Sequence, residues 1–185
     1  MRMNMFNENP PKNKIFLGGT CTSKWRDEII PALDYYGVEY FNPVVEDWTP
    51  ECIEIENEEK NEKCNIHLYY IDSSMQGVYS IAELVKSCYD TIAMRYDPDD
   101  NSYYKSKYVT MVLFVVNTDG FSEGQLRSLR AVASLVSDVT NYVICKNVTT
   151  DTLKSDFVDF LKESSELIKY TYRDLDEENY EDSED

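Results

Sequence analysis

Residues 14–33 read KIFLGGTCTSKWRDEIIPAL, and this stretch decides the fold. Lys14 to Leu17 is a short apolar run stopped by Gly18-Gly19, which predicts a strand running into a tight turn. Ser23 is placed to cap a helix reaching about Tyr36, since Ile29, Ile30, Leu33 and Tyr36 recur at helical spacing. Pro31 inside that helix removes one backbone donor, so a kink is expected there. Gly37 supplies the stop. Strand, glycine turn and helix in this order form the opening of a βαβ unit.

Reading outward, the same alternation continues to the far end. Val38 to Phe41 is a second strand, broken by Asn42-Pro43. Thr49 to Lys63 opens with Thr-Pro, a good cap and first-turn pair, and reads as a helix with many exposed acids. Ile66 to Ile71 (IHLYYI) is the third strand, and Asp72 to Tyr79 a loop. Ser80 opens a helix through about Met94, with Ile81, Leu84, Val85 and Cys88 facing inward. Asp97 to Lys107 reads as a polar loop, longer than the usual connection of about 4–6 residues. A strand over Tyr108 to Val116, a helix over Ser122 to Val136, a strand over Asn141 to Cys145 and an amphipathic helix over Thr150 to Tyr170 complete the pattern. The strands are continuous apolar runs, as in parallel sheets buried on both faces. The expected architecture is α/β: a flavodoxin-like or Rossmann-like five-stranded parallel sheet with helices on both faces. Its expected boundaries are a flexible lead over 1–12, a single domain over 13–172 and an acidic disordered tail over 173–185.

The bulk chemistry narrows the function. Formal net charge is −17 over 185 residues, and residues 174–185 hold much of it. The body stays acidic without them, which disfavours nucleic-acid backbone and anionic lipid as partners. Lys24 and Arg26 beside the first turn are a local basic pair able to hold one phosphate. Five cysteines form no C-x-x-C, and one histidine, His67, removes most zinc arrangements. Reduced thiols, no metal, no cofactor and a cytoplasmic location are expected. The opening MRMNMFNENPPKNK lacks the apolar core of a signal peptide, and the longest apolar run, Tyr108 to Val116, is too short to span a bilayer.

In open parallel sheets ligands bind beyond the carboxyl ends of the strands. That rule gathers the loops Gly18 to Ser23, Asn42 to Trp48, Asp72 to Ser80 and Asn117 to Phe121. Gly18-Gly19-Thr20 lets a ligand approach the backbone next to a helix N-terminus, or serves only as a tight turn. Ser80-x-x-Glu83 has the spacing of a capping box. It also puts a carboxylate in a first helical turn at the ligand edge, where an ionised Glu83 can attack a sugar C1. Asp72 can accept a sugar hydroxyl or handle a proton, or bond its own backbone. Asn42 with Trp25 and Trp48 can wall a pocket for a base, or the tryptophans can be core. Glu54, Glu56, Glu58 and Glu59 read as a solvated helix face, and mid-strand His67 as a core histidine.

Three segments carry a resemblance: KIFLGGTCTSKWRDEIIPAL, then VEYFNPVVEDW, then YYIDSSMQGVYSIAEL. Together they resemble the nucleoside 2-deoxyribosyltransferase-like family over roughly residues 14–95. The resemblance implies a two-step transfer. Glu83 attacks C1′ of a 2′-deoxynucleoside, the base leaves, and a second base takes the sugar from a covalent deoxyribosyl-Glu. It also implies Asp72 for proton traffic or sugar contact, and Gly18, Gly19, Thr20, Trp25, Asn42, Trp48 and Ser80 as the substrate-binding set. The implied partners are a nucleoside or its 5′-monophosphate, a free nucleobase and further copies of the chain. The better-known members carry an Asp six residues before the nucleophile, where this chain has Gly77. A hydrolase and a non-catalytic nucleotide-binding module on the same fold are the alternatives.

Overall fold

A computed structural model describes residues 13–47, 49–97, 102–105 and 109–160. Five parallel strands form the main sheet in the order β2-β1-β3-β6-β7. They are β1 (Lys14–Gly19), β2 (Glu39–Phe41), β3 (Ile66–Ile71), β6 (Met111–Asn117) and β7 (Val143–Val148). Counted among themselves, this is the 2-1-3-4-5 order of flavodoxin-like sheets, so the expected fold is the one observed. Strand order reverses between β1 and β3, which pair in register from Ile15↔Ile66 to Gly19↔Tyr70.

Alternation along each strand sends side chains to two cores. Ile15, Leu17, Leu68, Tyr70 and Leu113 meet Ile29 and Leu33 of α1 (Trp25–Tyr36) and Leu153 and Phe157 of a helix over 153–160. Phe16, Tyr69, Ile71, Val112 and Phe114 meet Leu84 and Cys88 of α3 (Tyr79–Asp90) and Leu129 and Val136 of α4 (Glu123–Val139). Every residue of β6 is buried, as a central strand covered on both faces requires. α2 (Pro50–Glu58) buries none of its residues and runs into a π turn over Glu59–Lys63. Lys14 reaches that turn through an ion pair to Glu59 at 2.5 Å.

Several local expectations change. Residues 94–105 do not form helix end and loop: β4 (Met94–Asp97) pairs antiparallel with β5 (Ser102–Lys105) in a separate two-stranded sheet. The helix after β3 stops at Asp90, where the Thr91 hydroxyl donates to Cys88 O and is hydrogen-bonded to the Thr140 hydroxyl. Ser23 does not cap α1. Lys24 holds the cap position without a side-chain bond, and Ser23 Oγ is buried with no partner among the described residues. α1 runs through Pro31 and ends at Gly37, whose φ of 65° is the left-handed stop expected of glycine. The lead over 1–12, Trp48, the helix beyond 160 and the acidic tail lie outside the described residues.

Candidate active site

The glycine turn is built by the sheet itself. Gly19 has φ +108°, and a Cβ there would lie 2.1 Å from Tyr70 O on the adjacent strand. A Cβ on Gly18 would meet Phe16 and Tyr69. Both glycines are therefore required by strand packing, apart from any ligand. Thr20 N donates to Tyr70 O at 2.8 Å, and Thr20 Oγ1 accepts from Asp72 N at 3.2 Å, tying the ends of β1 and β3 together.

Trp25 and Arg26 serve the same junction. Trp25 is 3% exposed, stacks on Tyr70 at 4.8 Å and donates Nε1–H to Thr20 O. It is core, not a pocket wall. Arg26 Nε and Nη2 donate to Leu17 O, and Nη1 to Thr20 O, with the guanidinium 4.4 Å over the Trp25 ring. Burial lowers the Arg26 pKa. A guanidinium spent on strand-end carbonyls is not the exposed phosphate holder expected beside Lys24.

Around Asp72 the polar groups satisfy one another. Its Oδ1 accepts from Ser74 N at 3.0 Å and Ser74 Oγ at 2.7 Å, and Thr22 Oγ1 donates to Ser74 O. This is the self-bonded loop start open in the sequence reading. Asn42 does the same after β2, its Oδ1 accepting from Val44 N at 3.1 Å.

Glu83 differs. α3 begins two residues earlier than the Ser80-x-x-Glu83 spacing predicts, with Val78 at the cap position and no side-chain cap bond, so Glu83 lies beyond the first turn where the spacing puts it. Ser80 therefore stands inside the first turn and the capping box does not form. The Glu83 carboxylate instead forms an ion pair with Lys60 of the π turn, 23 residues away, and both side chains are 11% exposed.

Lys60 is a residue that sequence reasoning missed. Its Nζ stands 5.4 Å from the Phe16 ring centroid, and its carbonyl accepts from His67 Nε2 at 2.8 Å. A carbonyl only accepts, so Nε2 carries the proton and Nδ1 accepts from Ser87 Oγ at 2.9 Å. Tyr69 OH then donates to Ser87 Oγ at 2.8 Å. Burial pushes His67 down to about 4, so the ring is neutral, as a core histidine should be. This buried relay clamps β3, α3 and the π turn together beneath the Glu83–Lys60 pair.

Glu56 is the second missed residue. It is half-buried while Glu51, Glu54 and Glu58 on the same helix are exposed, so α2 is not a uniformly solvated acidic face. Burial first, and then the neighbouring Glu83 carboxylate, raise its pKa, while Lys60 and Arg26 pull it down. Glu59 departs from the solvated reading too, since Lys14 and Lys63 both bind it and lower its pKa. The one usable signal was the four-residue step from Glu56 to Lys60; nothing local announces the reach from Lys60 to Glu83.

Other chemistry is sparse. All five cysteines are unbridged, and burial pushes Cys64 and Cys88 up to about 12. Among the described residues no group of three His, Cys, Asp or Glu is placed to hold a metal, and no helix is long and apolar enough to cross a membrane. A cavity of about 130 Å³ lies between β6, β7 and α4, lined by Phe114, Leu129, Ala133 and Cys145. Glu83 does not line it, and it is smaller than pockets that enclose a drug-sized ligand.

Fold and site together define a flavodoxin-like α/β protein with a carboxylate–ammonium site beside the helix that follows its third strand. Residues 12–94 match the family model described as nucleoside 2-deoxyribosyltransferase like, somewhat less than half of the chain. The match contains β1 to α3 and with them Gly19, Glu56, Lys60, Asp72 and Glu83. No curated protein and no solved structure matches the chain.

Proposed function

We propose that the chain is an N-glycosyl transferase of the nucleoside 2-deoxyribosyltransferase kind, acting on 2′-deoxynucleosides or their 5′-monophosphates. Glu83 is the nucleophile. The observation that carries this reading is the Glu83–Lys60 pair: a carboxylate freed from capping, held at low exposure next to a cation, within the segment that matches the family. An Oε of Glu83 attacks C1′, the C1′–N bond breaks, and its electron pair leaves with the base. A second base then displaces Glu83 from C1′, so two inversions retain the anomeric configuration. Asp72 contacts a sugar hydroxyl through Oδ2, because Oδ1 is engaged by Ser74. Gly18, Gly19, Thr20, Asn42 and Ser80 shape the loops around the sugar, and Trp25 supports them from the core. No metal or cofactor takes part, and the protein works in the cytoplasm.

Val44, Val45, Val78 and Tyr79 are exposed apolar residues on the loop after β2 and at the start of α3. They support a further copy of the chain covering this rim as a homo-oligomer.

The test incubates the protein with a panel of 2′-deoxynucleosides and their 5′-monophosphates, with and without a second free base, and resolves products by liquid chromatography. A new nucleoside that disappears with Glu83→Gln is the expected result. Free base without exchange makes the protein a hydrolase using the same residue. Thermal stabilisation by nucleotides without any product makes it a binding module and overturns the catalytic reading.

A further inference from the structure

Transfer through Glu83 needs a second group, because a departing base must receive a proton and an incoming nucleophile must lose one. Gly77 cannot supply it. We infer that Glu56 is this group: the acid that protonates the departing base and the base that deprotonates what replaces it. This rests on the reading of Glu83 as nucleophile.

The geometry begins on α2. Glu56 and Lys60 are four residues apart where α2 passes into the π turn, which stacks them on one side. Lys60 carries its ammonium to Glu83, so the cation paired with the α3 carboxylate rises from the same helical run as Glu56. The two carboxylates are not equivalent. Glu83 is engaged in the ion pair, whereas no hydrogen bond or ion pair holds Glu56 among the described residues. Glu56 is also half-buried where Glu51, Glu54 and Glu58 on α2 are exposed.

The charged groups facing Glu56 are Glu83 of α3, Lys60 of the π turn and Arg26 of α1. Burial and Glu83 favour its protonated form; Lys60 and Arg26 oppose them and come second. A nucleophilic carboxylate beside a second carboxyl biased toward its protonated form is the division of labour that glycosidic cleavage requires. In the first half-reaction Glu83 Oε bonds to C1′, the C1′–N bond breaks, and the Glu56 proton goes to the base nitrogen. In the second, the acceptor base or water bonds to C1′, its proton passes to Glu56, and Glu83 leaves with its electron pair.

The experiment measures Glu56→Gln and Glu56→Asp beside wild type and Glu83→Gln, on 2′-deoxyadenosine and on 7-methyl-2′-deoxyguanosine. The methylated base carries a positive charge and departs without a proton. With 2′-deoxyadenosine, Glu56→Gln should lose about 10²–10⁴-fold in kcat. It should also lose the fall in rate that wild type shows as rising pH deprotonates Glu56. With 7-methyl-2′-deoxyguanosine, Glu56→Gln should keep release of base within about tenfold of wild type, whereas Glu83→Gln stays inactive on both substrates. Glu56→Asp should retain part of the 2′-deoxyadenosine rate and the basic limb.

An equal loss on both substrates makes Glu56 structural and overturns the inference. So does a Glu56→Gln enzyme with wild-type rate and pH profile, and in both cases the Glu83 reading stands. Wild type inert on both substrates removes the Glu83 reading and this inference together.

Discussion

Two polar clusters sit beside the first and third strands, and they are built on opposite principles. Around Asp72, each group closes on a neighbour a few residues away or just across the junction: Asp72 on Ser74, Thr22 on Ser74, Thr20 on Asp72. Around Glu83, charges converge from four elements, α1, α2, the π turn and α3: Arg26, Glu56, Lys60 and Glu83. The first arrangement satisfies a loop and resembles what many parallel sheets need at a strand end. The second places ionic groups at low exposure, which costs desolvation and contributes little net stability. A cluster that is costly to keep and more than packing requires is the better place to seek chemistry.

Breaking the Glu83 cluster should have the largest effect on stability. Lys60→Met leaves a carboxylate at 11% exposure without its counter-charge. The expected loss is about 3 kcal/mol, read as a lower urea midpoint. Glu83→Gln in the same background should return part of it, a coupling that a double-mutant cycle measures. The control is Lys86, 62% exposed and paired with Asp90 at 2.7 Å, where Lys86→Met should change stability by under about 0.5 kcal/mol. Equal effects at Lys60 and Lys86 would mean that the Glu83 pair is an ordinary surface contact.

The relay beneath that pair has a pH signature. His67 is held at about 4 by burial, while the unfolded chain's histidine titrates near the ordinary value of about 6.5. Between these values the unfolded chain binds the extra proton, so the folded state loses stability as pH falls. The contribution is intact above about 6.5 and is lost progressively down to about 4, reaching about 3 kcal/mol. His67→Gln should be less stable at pH 7 and show a flatter decline across that window in urea unfolding. Parallel declines for the two proteins would show that His67 does not govern the acid limb.

The same contrast explains what the sequence made legible. Strand runs, the Gly18-Gly19 turn and the Gly37 stop are local signals, and each lies where spacing and residue type place it. Asp72 was legible as a loop-starting acid because its partner is two residues away. Lys60, His67 and Ser87 were not read as a unit, because their contacts span 7 to 23 residues across separate elements. Glu56 looked like one more acid on a charged helix, and only burial separates it from Glu54. Ser80-x-x-Glu83 misled in an instructive way: the spacing of a cap was present, but a distant ammonium took the carboxylate. The β4–β5 pair was missed because its residues are polar and aromatic, without the apolar continuity of the main strands.

A smaller stability effect than at Lys60 or His67 is expected at Asp72, and it sharpens the comparison most directly. Asn keeps an Oδ1 able to accept from Ser74 N and Oγ, so Asp72→Asn should cost under about 1 kcal/mol. Asp72→Ala removes the acceptor and should cost about 1–2 kcal/mol. The kinetic consequence then separates the two roles left to the second oxygen. If Oδ2 only contacts a sugar hydroxyl, the Asn amide can donate to it instead, and Asp72→Asn should raise KM several-fold with kcat within about tenfold. If Asp72 moves the proton, Asn cannot, and kcat should fall by about 10²-fold or more at unchanged stability. The second result would transfer the acid–base role from Glu56 to Asp72. A self-satisfied strand-end loop would then prove chemically active, and the contrast between the two clusters would fail as a guide to function.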